Sequence, residues 1–244
     1  MSLVSEYDKW HSSVFESDPR HADESSPWYQ IVLEYLPPVQ EQRILEIACG
    51  RGGFSRLLAS RGGAVCGADF SASAVKIAKE RLLSYPSLAA NVSYTQADAQ
   101  AMPFEDNSFD IVVSCETIEH VPDPRAALRE MYRVARPGGA LYLTTPNYFN
   151  FTGLYLLYAA LRHPGLKSSQ PFDQRFLFLQ ICRMVTSAGW KIVRTDGTVH
   201  QFPVGPGRDP VRLMSLESSR ALRRSLRFFA LHYLVIARKP GAAT

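Results

Sequence analysis

The sequence predicts an α/β domain, a mostly parallel sheet with helices on both faces, and three observations carry that expectation. Short apolar runs alternate with amphipathic stretches between residues 43 and 144, the signature of strand–helix succession rather than of hairpins. Glycines crowd the first strand-to-helix junction, in the segment Ile44 to Phe54, ILEIACGRGGF. Acids follow the second and third strands, Asp69 after GAVCGAD and Asp98 after VSYTQAD, at the carboxyl edge where open parallel sheets take their ligands.

An arm comes first, with a helix near Tyr7 to Phe15 and a second from Ser26-Pro27-Trp28 to about Leu36; Pro27 fits a first helical position and Pro37-Pro38 ends the run. The alternation then reads as strand Arg43–Ala48, helix Gly53–Ser60, strand Ala64–Ala68, helix Ala72–Leu83, strands Val92–Gln96 and Asp110–Ser114, helix Pro124–Ala135 and strand Ala140–Thr144. From Asn147 to Ser169 an apolar-aromatic stretch broken by Gly153 and His163-Pro164-Gly165 reads as a cap. A helix over Asp173–Ala188 stopped by Gly189, a strand Trp190–Val199 and a final strand Phe228–Ala237 complete the chain. The expected organisation is a helical arm over residues 1–40 and one domain over 41–244, with the cap inserted at about 147–170.

With 244 residues and 46% hydrophobic content the chain can bury one full core. Its polar start, MSLVSEYDKWHSS, lacks an apolar signal core, and Phe149 to Leu161 is too short and interrupted to span a bilayer, so the expected location is cytoplasmic. Cys49, Cys66, Cys115 and Cys182 show no metal-ligand spacing and read as reduced core thiols. The net charge of +4 matches one stretch, 205–227, where six arginines face Asp209 and Glu217. Aromatic residues are not interleaved there, which disfavours general nucleic-acid binding.

The glycine turn lets the backbone approach a ligand while the first helix amides offer free N–H donors. A dinucleotide fingerprint would need a small residue at the third glycine position, and Ser55 stands there, so the spacing alone does not exclude it. The acids narrow the choice. Asp69, 17 residues past Gly52, can accept from a ribose diol; Asp98 can accept from the exocyclic amine of a base, with the Ala99 amide reading the ring; Glu46 would welcome an ammonium. S-adenosylmethionine fits all three, whereas Glu46 would add negative charge beside a pyrophosphate.

Four ordered stretches, LEIACGRGGFS, GADFSASAVKIAK, QADAQAMPFEDNSFDIVVSCETIEHVPDP and ALREMYRVARPGGALYLTTPN, resemble class I S-adenosylmethionine-dependent methyltransferases of type 11, the group that includes ubiquinone-biosynthesis O-methyltransferases. The resemblance covers roughly residues 43 to 147 and leaves the arm, the cap and the arginine-rich connection unmatched. It implies a Rossmann-like seven-stranded sheet with the last strand antiparallel. It also implies Glu46, Ala48, Gly50, Gly52 and Phe54 around the methionine end, Asp69 on the ribose, Phe70 on the adenine face, Asp98 and Ala99 at the adenine edge, and Cys115 and Glu116 on the sulfonium side.

Methyl transfer from a sulfonium needs alignment more than acid–base chemistry, but a hydroxyl acceptor must lose a proton. His120, in Glu116-Thr117-Ile118-Glu119-His120, is the candidate base; the alternative is that Glu119 and His120 order the loop before Pro122. The resemblance also implies a possible divalent metal, since in ubiquinone-type O-methyltransferases an ExxEH segment can bind one and Glu116, Glu119 and His120 have that spacing; no residue is assigned to it. Acceptor choice is expected in Tyr7, Trp10, Trp28 and Tyr29, in the cap, and at His200, while His11, His21 and His232 carry no functional argument. The expected acceptor is a small molecule, glycan or lipid-linked intermediate, with oxygen the preferred atom and peripheral membrane contact through the cap and arginines. Nitrogen and carbon acceptors, a nicotinamide-dependent oxidoreductase and a non-catalytic cofactor-binding module stay open as alternatives.

Overall fold

The computed structural model describes residues 2–17, 25–147, 170–202, 211–212 and 217–241. The expected cap therefore lies outside the described residues except for its ends, as do His21 and His163. In chain order the elements are α1 (Leu3–Ser17), α2 (Pro27–Tyr35), β1 (Arg43–Ile47), α3 (Gly53–Ser60), β2 (Ala64–Asp69), α4 (Ala72–Leu82), β3 (Val92–Gln96), β4 (Phe109–Cys115), α5 (Pro124–Val134), β5 (Ala135–Pro146), α6 (Phe178–Ser187), β6 (Lys191–Phe202), β7 (Val211–Arg212), α7 (Arg220–Ser225) and β8 (Ala230–Arg238).

The strands form one sheet in the order β3-β2-β1-β4-β5-β8-β6-β7. Pairs from β3 to β5 are parallel, and β8 runs antiparallel between β5 and β6. Seven strands make the expected sheet, and the two-residue β7 adds an eighth at its edge. Strand order reverses between β1 and β4, the switch point where an open sheet leaves a crevice beyond its carboxyl ends.

Strand residues alternate between two apolar cores, as period-2 geometry demands. Leu45, Val112, Leu141, Leu143 and Val235 pack with Leu128 and Met131 of α5 and Ile181 of α6. Ile44, Ile111, Val113, Tyr142 and Leu234 pack on the opposite face with Val32 of α2, Phe54 and Leu58 of α3, and Val75 of α4. Helix starts follow local chemistry: the Ser71 hydroxyl accepts from Ala74 N at 3.2 Å, and Asp123 accepts from the Arg125 and Ala126 amides at 3.0 Å each.

One expected helix is shorter than its sequence suggests. α6 begins at Phe178 rather than at Asp173 because the preceding residues are bound to the loop after β4. Gln174 N donates to Glu119 O at 2.7 Å, and Gln174 Nε2 donates to Val121 O at 2.7 Å. Those bonds hold Gln174 against the loop after β4.

Gly52 shows why the first turn needs glycine. Its φ is +72°, and a Cβ there would stand 2.2 Å from the Tyr94 hydroxyl, which itself donates to Gly52 O at 2.9 Å. Gly50 also has positive φ, +52°, but a Cβ there would meet nothing within 4 Å. Gly52→Ala is expected to cost about 2–3 kcal/mol in urea unfolding and Gly50→Ala only about 1 kcal/mol. Equal losses would mean that Tyr94 is not the constraint.

Candidate active site

The carboxyl ends of β1, β2, β3 and β4 open into a cavity of about 360 Å³, closed on its far side by α1. Ala48, Gly50, Asp69, Phe70, Asp98, Ala99, Cys115, Glu116 and His120 all line it. Nine of the twelve residues expected at the site are thus brought together from four separate strand ends.

Glu46, Gly52 and Phe54, also expected at the site, are not among the residues that line the cavity. Glu46 points beneath the turn, 1% exposed, and accepts a hydrogen bond from the Ser55 hydroxyl. Phe54 is fully buried and stacks on Tyr29 with centroids 4.4 Å apart. Gly52 faces Tyr94. Their common role is to shape the turn from behind.

Burial pushes the Glu46 carboxyl up to about 8 from its ordinary 4.5, against the Ser55 bond that lowers it. A carboxyl raised in the folded state binds its proton more tightly there. Its contribution to stability is therefore full below about pH 4.5, falls as pH rises toward 8, and stays lost above. Glu46→Gln, which keeps an acceptor for Ser55, is expected to stabilise the protein by about 2 kcal/mol near pH 8.5 and hardly at all near pH 4.5. Thermal unfolding at both pH values checks this; an equal gain at both would assign the effect to something other than ionisation.

Asp69 ties the turn to β2. Its Oδ2 accepts from Gly50 N at 2.9 Å and its Oδ1 from Ser71 N at 2.9 Å, leaving the carboxylate at the cavity wall. His11 Nε2 of α1 stands 3.9 Å from Asp69 Oδ1 and also lines the cavity. Asp98 is engaged locally, accepting at Oδ1 from Gln100 N at 2.8 Å, so the loop rather than a free side chain presents this acid. Cys115 is a buried thiol pushed well up by desolvation, which removes it as a nucleophile.

At the other end stand Glu116, Glu119 and His120. His120 Nδ1 lies 2.8 Å from Phe172 O. A carbonyl only accepts, so Nδ1 donates to it, and the other ring nitrogen, Nε2, stands 3.7 Å from Glu119 Oε1. Burial, reinforced by the neighbouring Glu116 charge, pushes Glu119 well above the usual carboxylate range. Glu116 instead accepts from His232 Nδ1 at 2.7 Å. The three side chains thus turn to different partners, and among the described residues no group of three or more His, Cys, Asp or Glu is placed to hold a metal ion.

The arm supplies a wall. Leu3, Tyr7, Trp10 and His11 share one face of α1 and line the cavity. Asp8 fastens the helix, accepting from the Ser71 hydroxyl at 2.6 Å and from Ser73 N at 3.1 Å. Tyr7 donates to Phe172 O at 3.2 Å, the carbonyl that His120 also uses. His11 and His232 carried no argument in the sequence and both belong here. The spacing of Tyr7, Trp10 and His11 could have found the first; nothing local marks the second, whose partner is 116 residues away. His200 is a correction of the opposite kind, buried against Glu217 at 2.7 Å and Leu226 O at 3.1 Å and absent from the cavity wall.

Arg220 and Arg223 of the basic segment are likewise committed. Both pair with Glu34, Arg223 Nη2 at 2.6 and 2.7 Å, and this holds α7 on α2. Arg208 lies outside the described residues.

Residues 45–143 match the model of the methyltransferase domain family. The chain is 33% identical over 186 residues to the chloroplastic tocopherol O-methyltransferase of Arabidopsis thaliana, an alignment covering 73% of this chain and 50% of that protein. It is 39% identical over 118 residues to the ubiquinone/menaquinone biosynthesis C-methyltransferase UbiE of Pectobacterium carotovorum subsp. carotovorum (strain PC1), covering 47% of this chain and 46% of that one. The chain spans about half the length of these curated relatives. Phosphoethanolamine N-methyltransferase 2 of Haemonchus contortus, solved with S-adenosyl-L-methionine, shares the fold with a TM-score of 0.69 at 20% identity, over 98% of this chain and 60% of that one. The methyltransferase domain at residues 45–143 belongs to the type 11 family of class I S-adenosylmethionine-dependent methyltransferases.

The residues present fit that cofactor. Gly50 leaves open space where any side chain would intrude, and Asp69 and Asp98 place carboxylates along the same wall. No helix of the described residues is long and apolar enough to cross a membrane.

Proposed function

We propose that this chain methylates a small-molecule acceptor at a hydroxyl oxygen, with His120 as the base that receives the hydroxyl proton. The observation that carries this is the pinned His120 ring, whose Nδ1 is spent on Phe172 O while the ring lines the cavity. S-adenosylmethionine supplies the reaction with an activated methyl group on a sulfonium. Asp69 and the Gly50 turn would hold its sugar and amino-acid portions, and Cys115 and Glu116 would flank its reacting end. Tyr7, Trp10, Trp28 and Tyr29 offer aromatic faces for the acceptor body and keep water out.

The relatives' names agree with a ring compound bearing an apolar tail, one being a tocopherol O-methyltransferase and the other a C-methyltransferase of ubiquinone and menaquinone biosynthesis. A glycan or lipid-linked acceptor at a membrane draws less support, because Arg220 and Arg223 are occupied by Glu34.

The test has two stages. Calorimetry with S-adenosylhomocysteine is expected to give saturable heat at one site, and labelled S-adenosylmethionine is expected to label hydroxylated ring compounds. Transfer to amines or ring carbons alone would overturn the oxygen assignment; absence of cofactor binding would overturn the whole reading.

A further inference from the structure

A surface with no part in the chemistry above borders the cavity. One of its two segments leaves the cavity wall, which Gln170 and Asp173 line, and enters α6 at Phe178. The other is the short turn Arg227–Phe229 before β8, a strand that sets His232 opposite Pro146, itself a residue of the wall. Phe178 joins the two, its ring 5.2 Å from that of Phe228 and 4.9 Å from that of the buried Tyr233. Both segments therefore stand at the carboxyl edge of the sheet, beside the cavity.

What they show to solvent is apolar. Leu177 is 50% exposed, Leu179 63%, Phe228 43% and Phe229 41%, whereas Ile181, Met184 and Val185 of α6 are buried. Scattered exposed apolar residues are ordinary, but a cluster of large ones marks a contact surface. Cations border the cluster. Arg227 lies over the Phe178 and Phe228 rings at 5.8 and 4.6 Å, Arg183 follows Leu179 by one helical turn, and Arg183 and Arg224 are exposed.

Charge selects the occupant. Between Gln174 and Ala230 ten Lys and Arg residues stand against three Asp and Glu, an excess of seven in a chain whose whole excess is four. The acids of this stretch do not offset the cations at the surface: Asp196 is fully buried and accepts from the Tyr35 hydroxyl, Glu217 pairs with His200, and Asp209 lies outside the described residues. Arg220 and Arg223 take no part, because Glu34 holds them. Arginines beside exposed leucine and phenylalanine match an anionic bilayer, whose headgroups attract the guanidinium groups while its acyl boundary takes the apolar side chains. A second copy of this chain would bring the same cations face to face.

We infer that the surface formed by Leu177, Leu179, Phe228 and Phe229 with Arg183 and Arg224 docks the protein peripherally on anionic lipid bilayers, with the cavity turned toward the membrane. An acceptor with an apolar tail then passes from the bilayer to His120 without crossing water. That passage rests on the methyltransferase reading above; the docking does not.

Co-sedimentation of the whole chain with vesicles of phosphatidylcholine alone, or with about one-third phosphatidylserine, tests the surface. Affinity for the anionic vesicles is expected to be at least about tenfold higher and to fall with added salt. Leu177→Ser combined with Leu179→Ser is expected to weaken binding by about tenfold or more; both side chains are exposed, and serine suits the residue preceding α6. Arg183→Gln combined with Arg224→Gln is expected to remove the preference for phosphatidylserine. Both double variants are expected to melt within about 3 °C of the unaltered protein, which shows that they fold. Absence of vesicle binding, equal binding to both compositions, or anionic binding that survives both double substitutions overturns the inference. So does self-association in sedimentation velocity that the leucine substitutions abolish while vesicles stay unbound, which would give the surface to a second copy. Failure of S-adenosylhomocysteine to bind the unaltered protein refutes the methyltransferase reading and leaves the vesicle result standing.

Discussion

Asp69→Ala is expected to raise the dissociation constant for S-adenosylhomocysteine by about a hundredfold. Two losses combine. The carboxylate is the acid best placed for a ribose diol, and a pair of charge-assisted hydrogen bonds is worth on the order of 3 kcal/mol. It also accepts from Gly50 N and Ser71 N, at 2.9 Å each, so its removal slackens the turn that shapes the cofactor wall. Asp69→Asn keeps a neutral acceptor and is expected to lose less, about tenfold. Calorimetry measures both; unchanged affinity in the alanine variant would refute the assignment.

His120→Ala is expected to lower kcat by about a hundredfold or more while leaving S-adenosylhomocysteine affinity within a factor of about two. The ring also ties the loop after β4 to Phe172 O, so a rate loss alone does not separate base from brace. His120→Asn separates them, because its amide can donate to the same carbonyl but cannot take a proton. The asparagine variant should recover thermal stability and not rate. Recovery of the rate would leave His120 only the loop-ordering role.

Most of the sheet was legible because its determinants are local. Alternating apolar runs at β1, β4 and β5 follow from period-2 geometry, and Pro27, Ser71 and Asp123 announce helix starts through capping chemistry that involves neighbours in sequence. The glycine turn and the acids after β2 and β3 were legible for the same reason. Where the reading slipped, a distant partner intervened. Residues 173–177 suit a helix, but Gln174 is captured by Glu119 and Val121. Glu46 precedes the glycine turn and looks like a ligand contact, yet strand alternation directs it beneath the turn to Ser55.

The chain's own order of residues determined the α/β class, the methyltransferase family and the acids at the strand ends that line the cavity, since their signals lie within a few residues of one another. Only the folded structure decided which side chains face the cavity and in what state. It closed α1 over the site, set the His120 proton on Nδ1, moved Glu46 and Phe54 behind the wall, joined His232 to Glu116, and gave Arg220 and Arg223 to Glu34. These outcomes rest on burial and on hydrogen bonds between residues far apart in the chain, and no local pattern encodes such pairings.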